Sequence, residues 1–195
     1  MRLPALTELT PRQQEISDRI ASRRGGTRGP FLVWLRSPEL CEKVEALGAY
    51  CRFECSLDPR LRELSLLIAA RHWDAQYSWN AHIDKAVELG VSRESLIALA
   101  ENREPHFARS DEDIVYRFSV EILREHFVSD ATFTGALDEL GERGLVDLIG
   151  CLGNFSMLGM LLNTFQLDLQ PGRTPPFPDV RGYERVPVEQ STAEV

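Results

Sequence analysis

The sequence predicts an all-α fold, a single-domain helical bundle of about seven helices. Helix start signals recur along the chain, apolar residues recur at spacings of three and four, and no segment alternates as a strand does. A length of 195 residues suits one sizeable core, and 43% hydrophobic residues is ordinary for a globular protein. We expect the domain to span residues 1–172. Because prolines and glycines crowd LQPGRTPPFPD, residues 173–195 are expected to form an irregular or disordered arm.

The first helices begin where a capping residue precedes a proline. Thr10 with Pro11 opens a helix that runs to about Arg23, where GGTRGP breaks it. A short apolar segment, FLVWLR, follows. SPEL at 37–40 repeats the cap-and-proline pattern and predicts a helix to about Glu54.

The central helices follow the same logic. Asp58 caps a helix that reaches about His72. Asp74 is the expected cap of the next helix, which contains AQYSWNAHIDKAVEL and stops at Gly90. A short helix, SRESLIALA, and a loop, ENREPHFA, come next.

The last helices supply the rest of the core. SDED at 110–113 is close to a capping box with Ser110 as cap, and Ile114, Phe118 and Ile122 mark a buried face behind it. SDATFTGALDELGERG predicts a further helix stopped by glycine. An apolar helix over about 145–165 closes the core.

Charge and composition limit the partners. A formal net charge of −8 disfavours nucleic acid and anionic membranes, which bind through clustered Lys and Arg. The stretch 148–162 is too short for a membrane span, and no secretory signal is apparent at the start, so we expect a cytoplasmic protein. The four cysteines lack metal-ligand spacing, which predicts reduced, mostly buried thiols and no metal site.

A carboxylate and a histidine stand out on consecutive helices. Glu63 shares a helix face with Leu67 and Ala70, and a carboxylate on an apolar face needs a partner. On the next helix Ala75, Ser78 and His82 share a face. We expect Glu63 to hold the His82 imidazole in one tautomer, making it a general acid or base near neutral pH.

The segment RELSLLIAARHWDAQYSWNAHIDKAVELGVS resembles the core of the carboxymuconolactone decarboxylase and alkylhydroperoxidase D (AhpD) family. The downstream helices are also similar, so the resemblance covers roughly residues 1–172 and implies an AhpD-like helical bundle. In the peroxidase branch a Glu precedes Cys-x-x-Cys and then a His. Glu63 and His82 match the outer pair, whereas Ala75 and Ser78 occupy the cysteine positions.

The missing cysteines disfavour thiol-dependent peroxide reduction, because that redox cycle belongs to the thiolate. The resemblance then implies the decarboxylase side: a cofactor-independent lyase or isomerase acting on a small carboxylated or lactone substrate. His82 and Glu63 are the predicted catalytic residues. Ser78, Tyr77 and Trp79 are predicted to bind the substrate, with no metal and no organic cofactor.

Other interpretations remain open from the sequence. The chain could be a peroxidase-like oxidoreductase using a cysteine elsewhere, such as Cys51 or Cys55, or a non-catalytic protein that binds a small acid. His72 is expected to be structural or to line another surface. The resemblance implies a homo-oligomer, whether dimer, trimer or higher, and glycines 150, 153 and 159 would allow a helix to approach, either internally or from another subunit.

Overall fold

The computed structural model describes residues 1–178, and this part of the chain contains helices and no strand. The α-helices are α1 (Pro11–Arg24), α2 (Pro30–Trp34), α3 (Pro38–Ala49), α4 (Pro59–His72), α5 (Gln76–Glu88), α6 (Arg93–Ala100), α7 (Ser110–Glu125) and α8 (Asp130–Phe165). The predicted all-α class is confirmed. The described residues hold eight α-helices rather than about seven: the apolar segment FLVWLR contributes α2, and the two last predicted helices form the single α8.

The predicted helix to about Glu54 is wrong in its last turn. The α-helix ends at Ala49, and Tyr50–Glu54 form a π-helical turn. Its closing hydrogen bond runs from the amide of Cys55 to the carbonyl oxygen of Tyr50, 2.9 Å away and five residues back. The wider turn rotates the side chains that follow relative to a continuous α-helix.

Helix α4 is the centre of the bundle. It packs against α5, α7 and α8, and Leu64 and Leu67 are fully buried. A helix that is apolar on nearly all sides has to be surrounded by others, which explains this position. The few polar side chains of α4, Glu63 among them, therefore lie close to several neighbouring elements.

Of the five predicted helix caps, Thr10 and Asp58 are present, Ser37 holds its N-cap position without a side-chain hydrogen bond, and two are wrong. The Thr10 hydroxyl accepts from the Gln13 amide in a capping box, and the Asp58 carboxylate accepts from the Arg60 amide at 2.8 Å. Asp74 does not cap α5, because its carboxylate pairs with Arg71 and Ala75 holds the N-cap position.

The second wrong cap is at the start of α7. Ser110 is already the first helical residue of α7, and Arg109 takes the N-cap position without a side-chain hydrogen bond. The first turn of α7 contains Asp111, Glu112 and Asp113. Their negative charges interact favourably with the positive end of the helix dipole and stabilise the N-terminus without a side-chain cap.

The sequence predicts two helices at the end of the domain, the first stopped by a glycine. The interruption between them lies at Gly141. Its φ of 69° and ψ of 171° are non-helical, so α8 consists of two helical segments joined by a kink. By length and composition α8 could cross a membrane, yet 56% of its most apolar 18-residue stretch is buried inside the domain. This burial fits the core helix that the sequence predicts.

Three of the six glycines of α8, Gly150, Gly153 and Gly159, face different surroundings. A Cβ at Gly159 would lie 2.8 Å from the Cβ of Trp73, so this glycine allows α8 to pack closely on the α4–α5 junction. A Cβ at Gly150 or Gly153 would meet nothing within 4 Å. Gly159 therefore serves internal packing, whereas the other two face open space.

The start of the predicted arm packs on the bundle. Phe177 is 5% exposed and its ring meets Trp79 edge-on at a centroid distance of 5.7 Å. The Gln76 amide donates to the Phe177 carbonyl oxygen at 2.7 Å. Residues 173–178 are non-helical, and the rest of the predicted arm, 179–195, lies outside the described residues.

Candidate active site

Glu63 and His82 are in direct contact. The His82 Nδ1 atom lies 2.7 Å from the Glu63 Oε2 atom, and the two side chains are only 10% and 13% exposed. The contact arises because the chain reverses between α4 and α5, which pack along each other. An ionised carboxylate only accepts hydrogen bonds, so Nδ1 holds the proton in the neutral ring and Nε2 keeps a free lone pair.

A cavity of about 220 Å³ adjoins His82. Ser78 and Tyr77, two of the predicted substrate-binding residues, line it together with His82. Much of the remaining wall is apolar and comes from other helices, including Phe31, Trp34, Phe155 and Leu158. Glu63 is not among the described residues of the wall, so its carboxylate acts on the cavity through neighbouring side chains, above all the His82 imidazole.

Trp79 does not line this cavity. It is 3% exposed and contacts Phe177 on the other side of α5. Residues 79 and 82 are three apart on α5, so their side chains lie on adjoining faces of the helix. Trp79 nevertheless points toward the C-terminal segment and not into the cavity. The predicted substrate role of Trp79 is therefore wrong for this cavity.

Tyr77 is held by a close approach to Gly29. Gly29 has a φ of +57°, and a Cβ on this residue would lie 2.7 Å from the Tyr77 Cζ atom. Burial raises the pKa of Tyr77, so its hydroxyl is protonated at neutral pH and can donate a hydrogen bond into the cavity.

The cavity also contains three arginines that the sequence reasoning missed. Arg24, Arg28 and Arg52 line it, and none of its described lining residues is an aspartate or glutamate. Arg24 is the last residue of α1, and Arg52 belongs to the π-helical turn. An arginine between the aromatic and cysteine residues of the run AYCRF was a signal that could have been used.

Arg24 and Arg52 are removed from water. Burial lowers the pKa of Arg24, and the positive charge of Arg52 lowers it further. Burial also lowers the pKa of Arg52, while the negative charge of Glu63 opposes that effect. The Arg24 Nε and Nη2 atoms and the Arg52 Nε atom are buried without a hydrogen-bond acceptor among the described residues.

The cysteines lie elsewhere. All four are free and buried, and none is among the described residues that line the cavity. The Cys55 and Cys151 sulfur atoms are 4.0 Å apart behind the π-helical turn. A hydrogen bond with Cys51 and burial raise the pKa of Cys151, and burial raises the pKa of Cys41 to about 11.

A larger cavity of about 370 Å³ lies on the other side of α4. His72 lines it beside Arg71, Arg103 and Arg124, as expected for a histidine directed away from Glu63. Among the described residues that line this larger cavity, no carboxylate pairs with His72 in the way that Glu63 pairs with His82. Within residues 1–178, no group of three or more His, Cys, Asp or Glu residues could hold a metal ion.

The model of the carboxymuconolactone decarboxylase family matches residues 38–108. This region includes α4, α5 and both members of the Glu63–His82 pair. The predicted resemblance is confirmed over this region, which is similar to the carboxymuconolactone decarboxylase family. No protein of curated function matches the chain.

Solved structures with the same fold are AhpD-like. An AhpD-core peroxidase-related protein from Ralstonia eutropha JMP134 is 14% identical, with a TM-score of 0.72 over 87% of this chain and 92% of its own. A peroxidase-related protein from Silicibacter sp. TM1040 is also 14% identical, with a TM-score of 0.71 over 88% and 91%. The debrominase Bmp8 is 12% identical, with a TM-score of 0.66 over 83% and 87%. These likenesses confirm the AhpD-like all-α fold.

Proposed function

We propose that this protein is a cofactor-independent enzyme that transfers a proton to or from carbon in a small carboxylated or lactone substrate. The reaction class is that of a lyase or isomerase. The main support is the 2.7 Å contact between Glu63 and His82 beside a cavity of about 220 Å³. The family that residues 38–108 resemble takes its name from a decarboxylase, which supports the same reaction class.

In the proposed reaction the substrate supplies its own electron sink. When a carboxylate leaves as carbon dioxide, its bonding electron pair moves into a conjugated carbonyl and forms an enolate. Protonated His82 then delivers the Nε2 proton to carbon, and Glu63 stabilises the imidazolium before that step. The Ser78 or Tyr77 hydroxyl donates a hydrogen bond to the enolate oxygen, and solvent restores the proton on His82.

A peroxidase using one of the four cysteines is less well supported. Its catalytic thiol would have to meet peroxide, whereas all four thiols are buried and none borders the His82 cavity. Burial raises the pKa of Cys41 to about 11 and keeps this thiol protonated at neutral pH. A hydrogen bond with Cys151 lowers the pKa of Cys51, but this thiol is only 1% exposed. The peroxidase-related names of the structural neighbours concern chains of 14% identity and carry only the fold.

Deuterium incorporation tests the proposal without knowledge of the natural substrate. A panel of unsaturated lactone acids is incubated with the enzyme in D₂O, and NMR follows carbon-bound deuterium and carbon dioxide release. We expect turnover with at least one compound, and a loss of about 10²–10⁴-fold in His82→Ala and Glu63→Gln.

The control is His106→Ala, since His106 is exposed and lies outside the cavity wall. It should keep the wild-type rate. Equal rates in the His82→Ala variant and the wild type would show that the imidazole does not transfer the proton.

We also propose that the protein assembles as a homo-oligomer in the cytoplasm. On α8, Val146 is 71% exposed, Ile149 46% and Met160 45%, and the open side of Gly150 and Gly153 lies on the same helix. Exposed apolar side chains along one helix are typical of a subunit contact. Light scattering should give a mass above one chain for the wild type and a monomer for Val146→Glu with Ile149→Glu; a monomeric wild type contradicts assembly.

A further inference from the structure

Arg24 and Arg52 form a cationic pair that lines the His82 cavity and meets at the Phe53 ring. The Arg24 Cζ atom lies 4.9 Å from the Phe31 ring centroid and 5.6 Å from that of Phe53. The Arg52 Cζ atom is 5.2 Å from the same Phe53 ring. Both guanidinium groups are therefore held against aromatic rings, which fixes their planes and limits their contact with water.

This pair is under-compensated. The Arg24 side chain is only 10% exposed, and its Nε atom is 3.6 Å from Glu45 Oε1, too far for a hydrogen bond. Arg23 meets the other oxygen of Glu45, Oε2, at 3.4 Å, so Arg24 Nε and Glu45 Oε1 form an ion pair without a hydrogen bond. Glu63 is already bonded to His82. Buried N–H groups without acceptors are costly, so their persistence beside a cavity indicates a ligand that accepts from them.

The local structure directs the two arginines to the same place. Gly25, in the left-handed conformation, ends α1 directly after Arg24. The π-helical turn displaces Arg52 from the path of an α-helix, and the Arg62 guanidinium donates to the Arg52 carbonyl oxygen at 2.8 Å, which ties the turn to α4. Single-turn π segments are frequent at functional sites.

We propose that Arg24 and Arg52 bind a carboxylate group of the substrate and thereby place its carbon skeleton against His82. Guanidinium groups match the planar geometry of a carboxylate, and hydrogen bonds between charged groups in a site shielded from water are strong. The apolar wall of the cavity suits an unsaturated or aromatic carbon skeleton. This inference rests on the proposed function for the role of His82, but the binding site itself does not depend on turnover.

Benzoate and its neutral isostere benzamide serve as probes, and calorimetry measures their dissociation constants. We expect the wild type to bind benzoate at least about tenfold more tightly than benzamide, since one hydrogen bond to a charged group contributes this much. Arg24→Met and Arg52→Met should each lose about 10–100-fold in benzoate affinity and leave benzamide binding unchanged.

The matched control is Arg117→Met. Arg117 is exposed on α7 and pairs with Asp113 at 2.9 Å, so this variant removes the same charge away from the cavity and should bind benzoate normally. Circular dichroism establishes that each variant is folded. Because the two buried arginines lack full partners, the Arg52→Met variant should unfold at no lower temperature than the wild type in the absence of benzoate.

The outcomes separate binding from catalysis. The His82→Ala variant should still bind benzoate more tightly than benzamide. If the deuterium assay fails while benzoate is still bound more tightly than benzamide, the proton transfer is refuted and the carboxylate site stands. A wild type that binds benzoate no better than benzamide, or not at all, overturns the carboxylate site. Retained benzoate affinity in both methionine variants overturns it as well.

Discussion

The contact between Gly29 and Tyr77 offers a sharp test of how the loop before α2 shapes the cavity. Gly29 has a φ of +57° and a ψ of −125°, a backbone region that is almost restricted to glycine. A Cβ at this position would overlap the Tyr77 hydroxyl and lie 2.7 Å from its Cζ atom. In Gly29→Ala the loop or the tyrosine therefore has to move.

The loss of unfolding free energy expected for Gly29→Ala has two contributions. The strained backbone costs about 1–3 kcal/mol and the overlap with a packed side chain about 1–3 kcal/mol. Gly25→Ala is the matched control, because Gly25 has a φ of +72° in the same loop and a Cβ there would meet nothing within 4 Å. This control should lose only about 1–2 kcal/mol, the cost of a left-handed residue.

Urea unfolding followed by far-ultraviolet circular dichroism measures both variants. Gly29→Ala should lose at least about 2 kcal/mol of unfolding free energy, which corresponds to a drop of roughly 4–8 °C in Tm for a chain of this size. Benzoate affinity should also fall in this variant, because Tyr77 lines the cavity. Equal stabilities of Gly29→Ala and Gly25→Ala would refute the close approach of Tyr77.

Three further predictions concern buried groups. Glu63→Leu should lose about 1–3 kcal/mol of unfolding free energy, because the His82 N–H is left without an acceptor, whereas Glu63→Gln keeps one and should lose less; urea titration compares them. Although burial opposes it, hydrogen bonds from neighbours such as Ser56 hold the pKa of Asp147 below its ordinary value. Its stabilisation is present above the unfolded-state pKa of about 4 and is lost as pH falls through the folded-state pKa, so wild type and Asp147→Asn should converge in stability in acid and diverge at neutral pH. Burial and Glu45 raise the pKa of Cys41 to about 11, so this thiol should resist alkylation at pH 8 in the folded protein and react once urea unfolds it; rapid labelling in the native state contradicts this.

Much of the helical architecture could be predicted because helix signals are local. Thr10 and Asp58 cap the helices that the sequence assigns to them, since their side chains bond amides two or three residues away. Asp74 failed as a cap because a competing charge, Arg71, lies one helical turn back. The π-helical turn at Tyr50–Glu54 also escaped prediction, because it depends on how α3 meets α4.

The sequence by itself determined the helical class, the family resemblance and the pairing of Glu63 with His82. The helical class follows from local spacing, because residues three, four or seven apart share a helix face. The pairing of Glu63 with His82 could be predicted because the two residues lie on consecutive helices and a carboxylate on an apolar face needs a partner. Only the tertiary structure decided what surrounds the imidazole. Arg24 and Arg52 come from α1 and from the turn after α3, and Trp79 faces the C-terminal segment instead of the cavity. Contacts between distant segments depend on how helices pack, and helix periodicity alone does not specify that packing.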